Sequence, residues 1–508
     1  MSAATWTIVA YLTVVTLLGV YLTRRNRSSA DWATASGGMG VWMIAAGIAG
    51  TRIGGAGSYG VAGDVMSSGI WNVWYGINTF FALALVGLFF AVPYRRLGLT
   101  TIGELFVRRF GRARGAVLTS LCVQTEYLVV NVIEPLLIGV IVSNVTGIPL
   151  WAGILIGAFV IISATASSGL RGTALTNIIH CAVIIGGLGL VAWAGMAQMG
   201  GWAEVAERVD AQLAAAGTDA ASWWSFVGLG WFPIIAMFFS ATIHTPAASV
   251  YVNYSSSARH ESMLVPSFLL AGVLAAAMPF LAALIGMEAL ARYGPDAGIA
   301  GYASVTQIAL DTGPLIGGVA LAAVLAALIS SGAPILLASS TMFVNDWIPG
   351  SERFSSSQKL RAYRLTSVIY GLLAAAIASV FGYFLGTASV LEWLLLGFAM
   401  VVPPAIAIGY VFYVPSTTEA GVFWGIASGY GLGLAAWAVN ETLLGLEVDV
   451  ASYFTTLVPL VVIPAVSALT RSAGPDPLAE PFYRRLRTPA ERPDAGLLPT
   501  AADAPRGH

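Results

Sequence analysis

The chain has 508 residues, 57% hydrophobic and 10% charged, with a net charge of −1 and a mean hydropathy of +0.80. That balance excludes a soluble globular protein and fits a polytopic, all-α membrane protein. Cys122 and Cys181 lie in apolar runs and read as small buried hydrophobes, and four scattered histidines form no zinc or haem pattern.

Hydropathy gives thirteen candidate transmembrane helices, at 5–23, 41–65, 70–93, 115–145, 149–167, 173–197, 226–252, 262–289, 313–344, 363–385, 388–413, 419–439 and 453–470. Arg24, Arg25 and Arg27 follow the first span, as in an orienting anchor rather than a cleaved signal peptide. With the N-terminus outside, 21 of the 24 basic residues lie inside; only Arg208 and Arg292 lie outside, and Arg52 is within a span. The positive-inside rule therefore predicts an outside N-terminus and a cytoplasmic C-terminus, and the expected location is a plasma membrane.

The second span contains GIAGTRIGGAGSYGVAG at 47–63, with seven glycines and Arg52. Each glycine weakens a helix interior by roughly 1 kcal/mol relative to alanine. A lone charge at mid-bilayer costs at least about 2.5 kcal/mol. A span that only crossed lipid would not be built this way; unwound backbone lining a cavity fits. In the fourth span Gln124, Tyr127, Asn131 and Glu134 share one helical face, flanked by Glu126.

The seventh span carries His244, Thr245 and Pro246 near its centre, and Pro246 interrupts the helical bonding. It lies five helices after the second span and runs the opposite way. Two interrupted helices at matched positions predict a 5+5 inverted repeat: 41–197 and 226–413, with extra helices 5–23, 419–439 and 453–470. The transporter domain is thus residues 1–470. In the ninth span, Ser330 and Ser331 follow Ala327 by about one turn, and hydroxyl and carbonyl oxygens suit a dehydrated sodium ion. The plainer role of such serines is a bond back to a preceding carbonyl. Outer connections at 198–225 and 290–312 predict a surface helix at Trp202–Ala214 and a short lid; the Pro-, Ala- and Arg-rich tail, 471–508, predicts a disordered cytoplasmic segment.

Taken together these stretches resemble the sodium:solute symporter family across essentially all thirteen spans. The resemblance rests on Gly60-Val61-Ala62-Gly63 with Gly69, on Ser168-Gly169-Leu170-Arg171 through Thr176-Asn177-Ile178-Ile179-His180, on Tyr254 through Arg259, and on Ile329-Ser330-Ser331 through Met342-Phe343. The last is closest in wording to the choline-transporter-like branch. The resemblance implies a leucine-transporter-like core, alternating access, and a sodium site made by the carbonyls of Gly50, Ile53 and Ala327 with the hydroxyls of Ser330 and Ser331. It places solute between the broken parts of the second and seventh spans, walled by the fourth and eleventh. Four positions depart from the family pattern: Asn177 for aspartate, His180 for glutamine, Asn253 for arginine, and Arg52 for an amide or carboxylate.

The candidate solute-binding residues are Arg52, Gly54, Gly57, Glu126, Asn131, Glu134, His244, Thr245 and Trp393. Arg52 stays protonated, and three roles fit it: an ion pair with Glu126 or Glu134, a clamp on a solute carboxylate, or a fixed charge in place of sodium. His244 fits solute contact, proton acceptance or a bond to a carbonyl. The expected function is sodium-coupled symport of a small polar organic solute. A sodium-independent transporter or exchanger is the alternative, and a membrane-embedded solute sensor the second. No acid, base and nucleophile set points to an enzyme, and the expected partners are solute, sodium and lipid bilayer, without nucleic acid. Arg52 fits a carboxylate-bearing solute, whereas the choline-like wording and the aromatic residues fit a quaternary amine. Oligomeric state is not legible.

Overall fold

A computed structural model describes residues 3–22, 28–111, 114–295, 303–384, 389–446, 449–471 and 476–489. These are helices and their connections; the sole extended pairing among them is an isolated bridge between Met39 and Ala258. Helix is present in every segment expected to span. Nine of the described helices are long and apolar enough to cross a membrane, and a tenth is added by the pair Trp231–Ala247 and Ser249–Ser257, bent by 49°. The run Leu150–Gln198 holds the fifth and sixth expected spans in one 49-residue stretch, turned at Gly169 (φ 59°, ψ −172°). At 1.5 Å per residue it reaches about 74 Å, more than twice a hydrocarbon core.

Burial sorts the helices into centre and rim. The ninth span, Pro314–Trp347, is 94% buried over its most apolar window, whereas Ser356–Gly382 and Glu419–Leu444 are 28% buried. The ninth span packs against the first, second, fourth and fifth-to-sixth helices. Small residues such as Gly332, where a Cβ would meet Ile161 at 2.9 Å, let helix backbones approach closely where lipid supplies no hydrophobic drive.

The two interrupted helices are tied together at one end. Met39, before the second span, accepts from Arg259 N and donates to Ser257 O, each at 2.9 Å, and both partners follow the seventh span. Outside the membrane core, Trp202–Ala215 forms the expected surface helix. The expected lid contains a helix at Ser304–Asp311; its residues 296–302 lie outside the described residues. The tail differs from expectation. Ala479–Arg487 is helical, Phe482 is 4% exposed, and Tyr483 donates to Val411 O at 2.8 Å. Aromatic anchoring offsets the composition that argued for disorder. The rest of the expected disordered tail, 472–475 and 490–508, lies outside the described residues.

Candidate functional site

The second span breaks where its sequence is weakest. Val41–Gly55 is helical until Gly54, which adopts φ 32° and ψ −176°. That backbone region is essentially reserved for glycine. Beyond it a wide turn, Ala56–Gly60, leads into Val61–Ser68. The turn at Gly54 aims the Gly55 N–H sideways, where Glu134 accepts it with Oε1 at 3.1 Å and Oε2 at 3.2 Å. Glu134 Oε1 also accepts from the Ser331 hydroxyl at 2.5 Å. One carboxylate of the fourth span thus joins the break in the second span to the serine pair in the ninth.

Beside this junction Ser330 donates to Gly50 O at 3.0 Å and Ala327 O at 2.8 Å. Three of the five oxygens expected to form a sodium site therefore converge. Ser331 completes the serine pair but is turned to Glu134. Ile53 lines the adjoining cavity. Asn177, from the sixth span, donates to Gly47 O at 3.2 Å and Ser330 O at 3.1 Å, so the departure from aspartate becomes a neutral brace behind the same cluster. His180 is engaged away from it, with Nδ1 2.5 Å from Tyr11 Oη.

The seventh span loosens in a wide turn at Phe239–Ile243, followed by Thr245–Ala247 and an extended Ala248 (φ −66°, ψ 108°). Pro246 lacks an N–H, and the groups this break frees are taken by neighbours. Tyr94 donates to Pro246 O at 2.5 Å, and Tyr127 Oη accepts from Val250 N at 2.8 Å. Ala241 O accepts from Arg52 Nη2 at 2.6 Å. Arg52 Nη1 lies 3.2 Å from His244 Nε2, and Arg52 Nε is 3.4 Å from Thr79 Oγ1. Because a guanidinium only donates, His244 Nε2 is the acceptor and Nδ1 carries the proton to Ser240 O, 2.5 Å away. The His244 ring stacks on Phe398 at 3.9 Å, and the Arg52 guanidinium lies 4.8 Å from the same ring, within cation–π range.

The Arg52 side chain therefore bridges the two broken helices. It makes no ion pair with Glu126 or Glu134 and no hydrogen bond to Ser330 or Ser331 among the described residues. Of its three expected roles, the ion pair is not formed, and the position beside the serines is held by Glu134.

Arg52, Ile53, Gly54, Gly57, Glu126, Glu134 and Ser331 line one central cavity of about 30 Å³, together with Tyr75, Tyr251 and Phe398. That is room for one or two waters. His244 and Thr245 do not line it; His244 stacks on the lining residue Phe398, and the Thr245 hydroxyl is buried with no hydrogen-bond partner among the described residues. Two expected solute contacts lie elsewhere. Asn131 turns back to donate to Tyr127 O at 2.7 Å, an in-helix bond that withdraws it from the cavity. Trp393 lines a second, larger cavity of about 640 Å³ with Asp64, Trp71, Glu392, Glu441 and Asp449. Gly60 also lines the larger cavity, packed so close to Leu391 that a Cβ would stand 3.0 Å from it. Thr79, Tyr75, Tyr251 and Phe398 were not singled out from sequence; only their placement opposite Arg52 gives them a role.

Residues 32–429 match the model of the sodium:solute symporter family. Rat (Rattus norvegicus) sodium/glucose cotransporter 2 is 23% identical over 474 residues, covering 84% of this chain and 70% of that protein. The rabbit (Oryctolagus cuniculus) sodium/glucose cotransporter 1 is 22% identical, with the same coverage of each. Among solved structures, a substrate-bound, outward-open Na+-coupled sialic acid symporter superposes with a TM-score of 0.76 at 18% identity, over 93% of this chain and 99% of its own. Mhp1, a nucleobase-cation-symport-1 family transporter, gives 0.56 at 16% identity, over 91% and 99%. At these identities the superpositions speak to the fold, an all-α leucine-transporter-like architecture.

Proposed function

The chain belongs to the sodium:solute symporter family, and on that premise we propose that sodium binds between the second and ninth spans and solute binds in the adjoining central cavity. The protein is a multi-pass membrane protein and a secondary transporter, with sodium as the coupling ion moved together with a small-molecule solute. The observation carrying the proposed ion site is the Ser330 hydroxyl, within 3.0 Å of Gly50 O and 2.8 Å of Ala327 O. The donor set fits a hard, singly charged cation. Two carbonyls and a hydroxyl supply neutral oxygens, and Glu134 supplies negative charge one residue away through Ser331.

In this reading sodium ties the ninth span to the unwound part of the second and favours an outward-facing state with a formed solute pocket. Each ligand then strengthens the binding of the other. Arg52 spans from the second helix to Ala241 and His244 of the seventh and keeps the two broken helices in register while the walls part. The solute is small, polar and organic, transport proceeds by alternating access, and the molecule lies in the plasma membrane with its N-terminus outside, an orientation that the placement of its basic residues supports.

Uptake into proteoliposomes, with and without an inward sodium gradient, tests the ion site. The gradient stimulates wild type, and Ser330→Ala loses that stimulation while remaining folded by thermal melting. Stimulation of the variant equal to that of wild type would remove sodium from this cluster.

A further inference from the structure

Two opposite charges line the central cavity without meeting. Arg52 is 5% exposed, and its hydrogen-bond partners Thr79, His244 and Ala241 O are all neutral. Glu126 is 4% exposed, and its Oε2 is buried with no hydrogen-bond partner among the described residues. Both side chains line the same space, yet no ion pair joins them among the described residues. A buried carboxyl oxygen without a donor and a buried guanidinium held only by neutral acceptors are each costly, so the two ask for a ligand that satisfies both. Glu134 is not available for this, being committed to Gly55 N and Ser331 on the ion side.

We propose that the solute is a zwitterion with N–H donors on its cationic end, that is, a small amino acid with a primary or secondary ammonium group. Its carboxylate meets Arg52 and its ammonium meets Glu126. This rests on the reading of the central cavity as the solute site. The Arg52 Nε contact to Thr79, at 3.4 Å, is long for a hydrogen bond and is the one a carboxylate replaces. A planar guanidinium suits that partner. Glu126 Oε2 lacks a donor, which an ammonium N–H supplies and a quaternary amine does not. Val130, Ile133, Ile335 and Leu394 are also in the wall and suit an apolar side chain. A monocarboxylate leaves Glu126 unpaired, a simple amine leaves Arg52 unpaired, and a sugar compensates neither charge.

Binding to the purified full-length protein in saturating sodium chloride tests this, read by calorimetry and thermal shift. The probes are L-alanine, L-valine and L-proline, each with its amide, its nitrogen-free carboxylic acid and its fully N-methylated betaine, and glucose. The expected result is that at least one amino acid binds tenfold or more tighter than its three analogues. An analogue that binds as well as the parent, or no binding by any of the three amino acids, overturns the proposal. Glu126→Gln abolishes the preference over the nitrogen-free acid, and Arg52→Gln abolishes the preference over the amide; retention of either preference also overturns it. The wild-type series decides the matter if a variant does not fold. Repeating the series in potassium separates the two readings. Amino-acid binding undiminished without sodium upholds the zwitterion and removes sodium coupling from this cavity. A sodium-dependent response to glucose alone upholds coupling and overturns the zwitterion.

Discussion

Ser331 donates its hydroxyl hydrogen to Glu134 Oε1 at 2.5 Å, and both oxygens of that carboxylate accept from Gly55 N. The fourth span thereby holds the break of the second span against the ninth, the two elements proposed to clasp sodium. Bonds to a charged acceptor contribute about 1.5–3 kcal/mol each. Glu134→Gln keeps the shape but removes the charge, and its amide nitrogen faces a donor on one side. The expected outcome is a tenfold or greater rise in the sodium concentration that half-saturates uptake, equivalent to about 1.4 kcal/mol or more. An unchanged half-saturating concentration would make Glu134 a purely structural brace.

Gly54→Ala tests the break itself. The added Cβ would stand 2.7 Å from Glu134 Oε1 and 3.1 Å from Ser331 Oγ, at a φ of +32°. Strain in such a region costs on the order of 1–3 kcal/mol, and the contact adds to it by displacing the carboxylate. The variant is expected to melt several degrees below wild type and to lose sodium stimulation. Gly57→Ala is the control, because its Cβ would stand 3.5 Å from Tyr75, an ordinary contact, and it is expected to melt close to wild type.

The features legible in the sequence were those written in local backbone chemistry. A glycine-rich stretch around Gly54 and the proline at Pro246 announced two interruptions, and their spacing announced the repeat. Ser330 was legible because a hydroxyl one turn after Ala327 has few places to go. The partners of Arg52 were not legible. Ala241 O lies in the wide turn Phe239–Ile243 ahead of Pro246, and no residue within that turn signals it. Asn131 shares a helical face with Glu134, yet its amide turns back to Tyr127 O, which the spacing alone does not reveal. Trp393 stands in the larger cavity and not the central one, since helix assignment fixes depth only to within a turn or two. In the tail, Phe482 and Tyr483 carried the signal for a docked helix, masked by the proline and arginine around them.

His244→Phe separates stacking from hydrogen bonding. Phenylalanine keeps a ring against Phe398, now 3.9 Å from the imidazole, but removes the acceptor for Arg52 Nη1 and the donor to Ser240 O. A guanidinium N–H left unsatisfied in a buried site costs about 1–3 kcal/mol. Lower thermal stability is expected, with weaker solute binding because Arg52 loses one of its anchors. His244→Gln, which retains an acceptor, is expected to recover part of both. Equal melting of the phenylalanine variant and wild type would show that the Arg52–His244 contact contributes nothing.

The docked tail gives a pH prediction with a definite sign. Asp476 accepts from the Arg109 guanidinium, and Arg109 also lies 5.5 Å from the Tyr483 ring. Burial pushes the Asp476 carboxyl upward, but the hydrogen bond from Arg109 and those from Leu478 N and Ala479 N outweigh it, so its pKa is lowered from 3.8. A carboxylate lowered on docking contributes stability above its undocked pKa and loses it as pH falls through the docked value. Docking is therefore expected to be flat in pH from neutrality to about 5 and to weaken only below 3.8. Limited proteolysis of the tail across that range measures it. Asp476→Asn is expected to cleave faster at neutral pH and to lose the acid-dependent step, whereas Phe482→Ala, which removes the buried anchor, cleaves faster at every pH but keeps the step. An acid step retained by Asp476→Asn would assign the titration to another group.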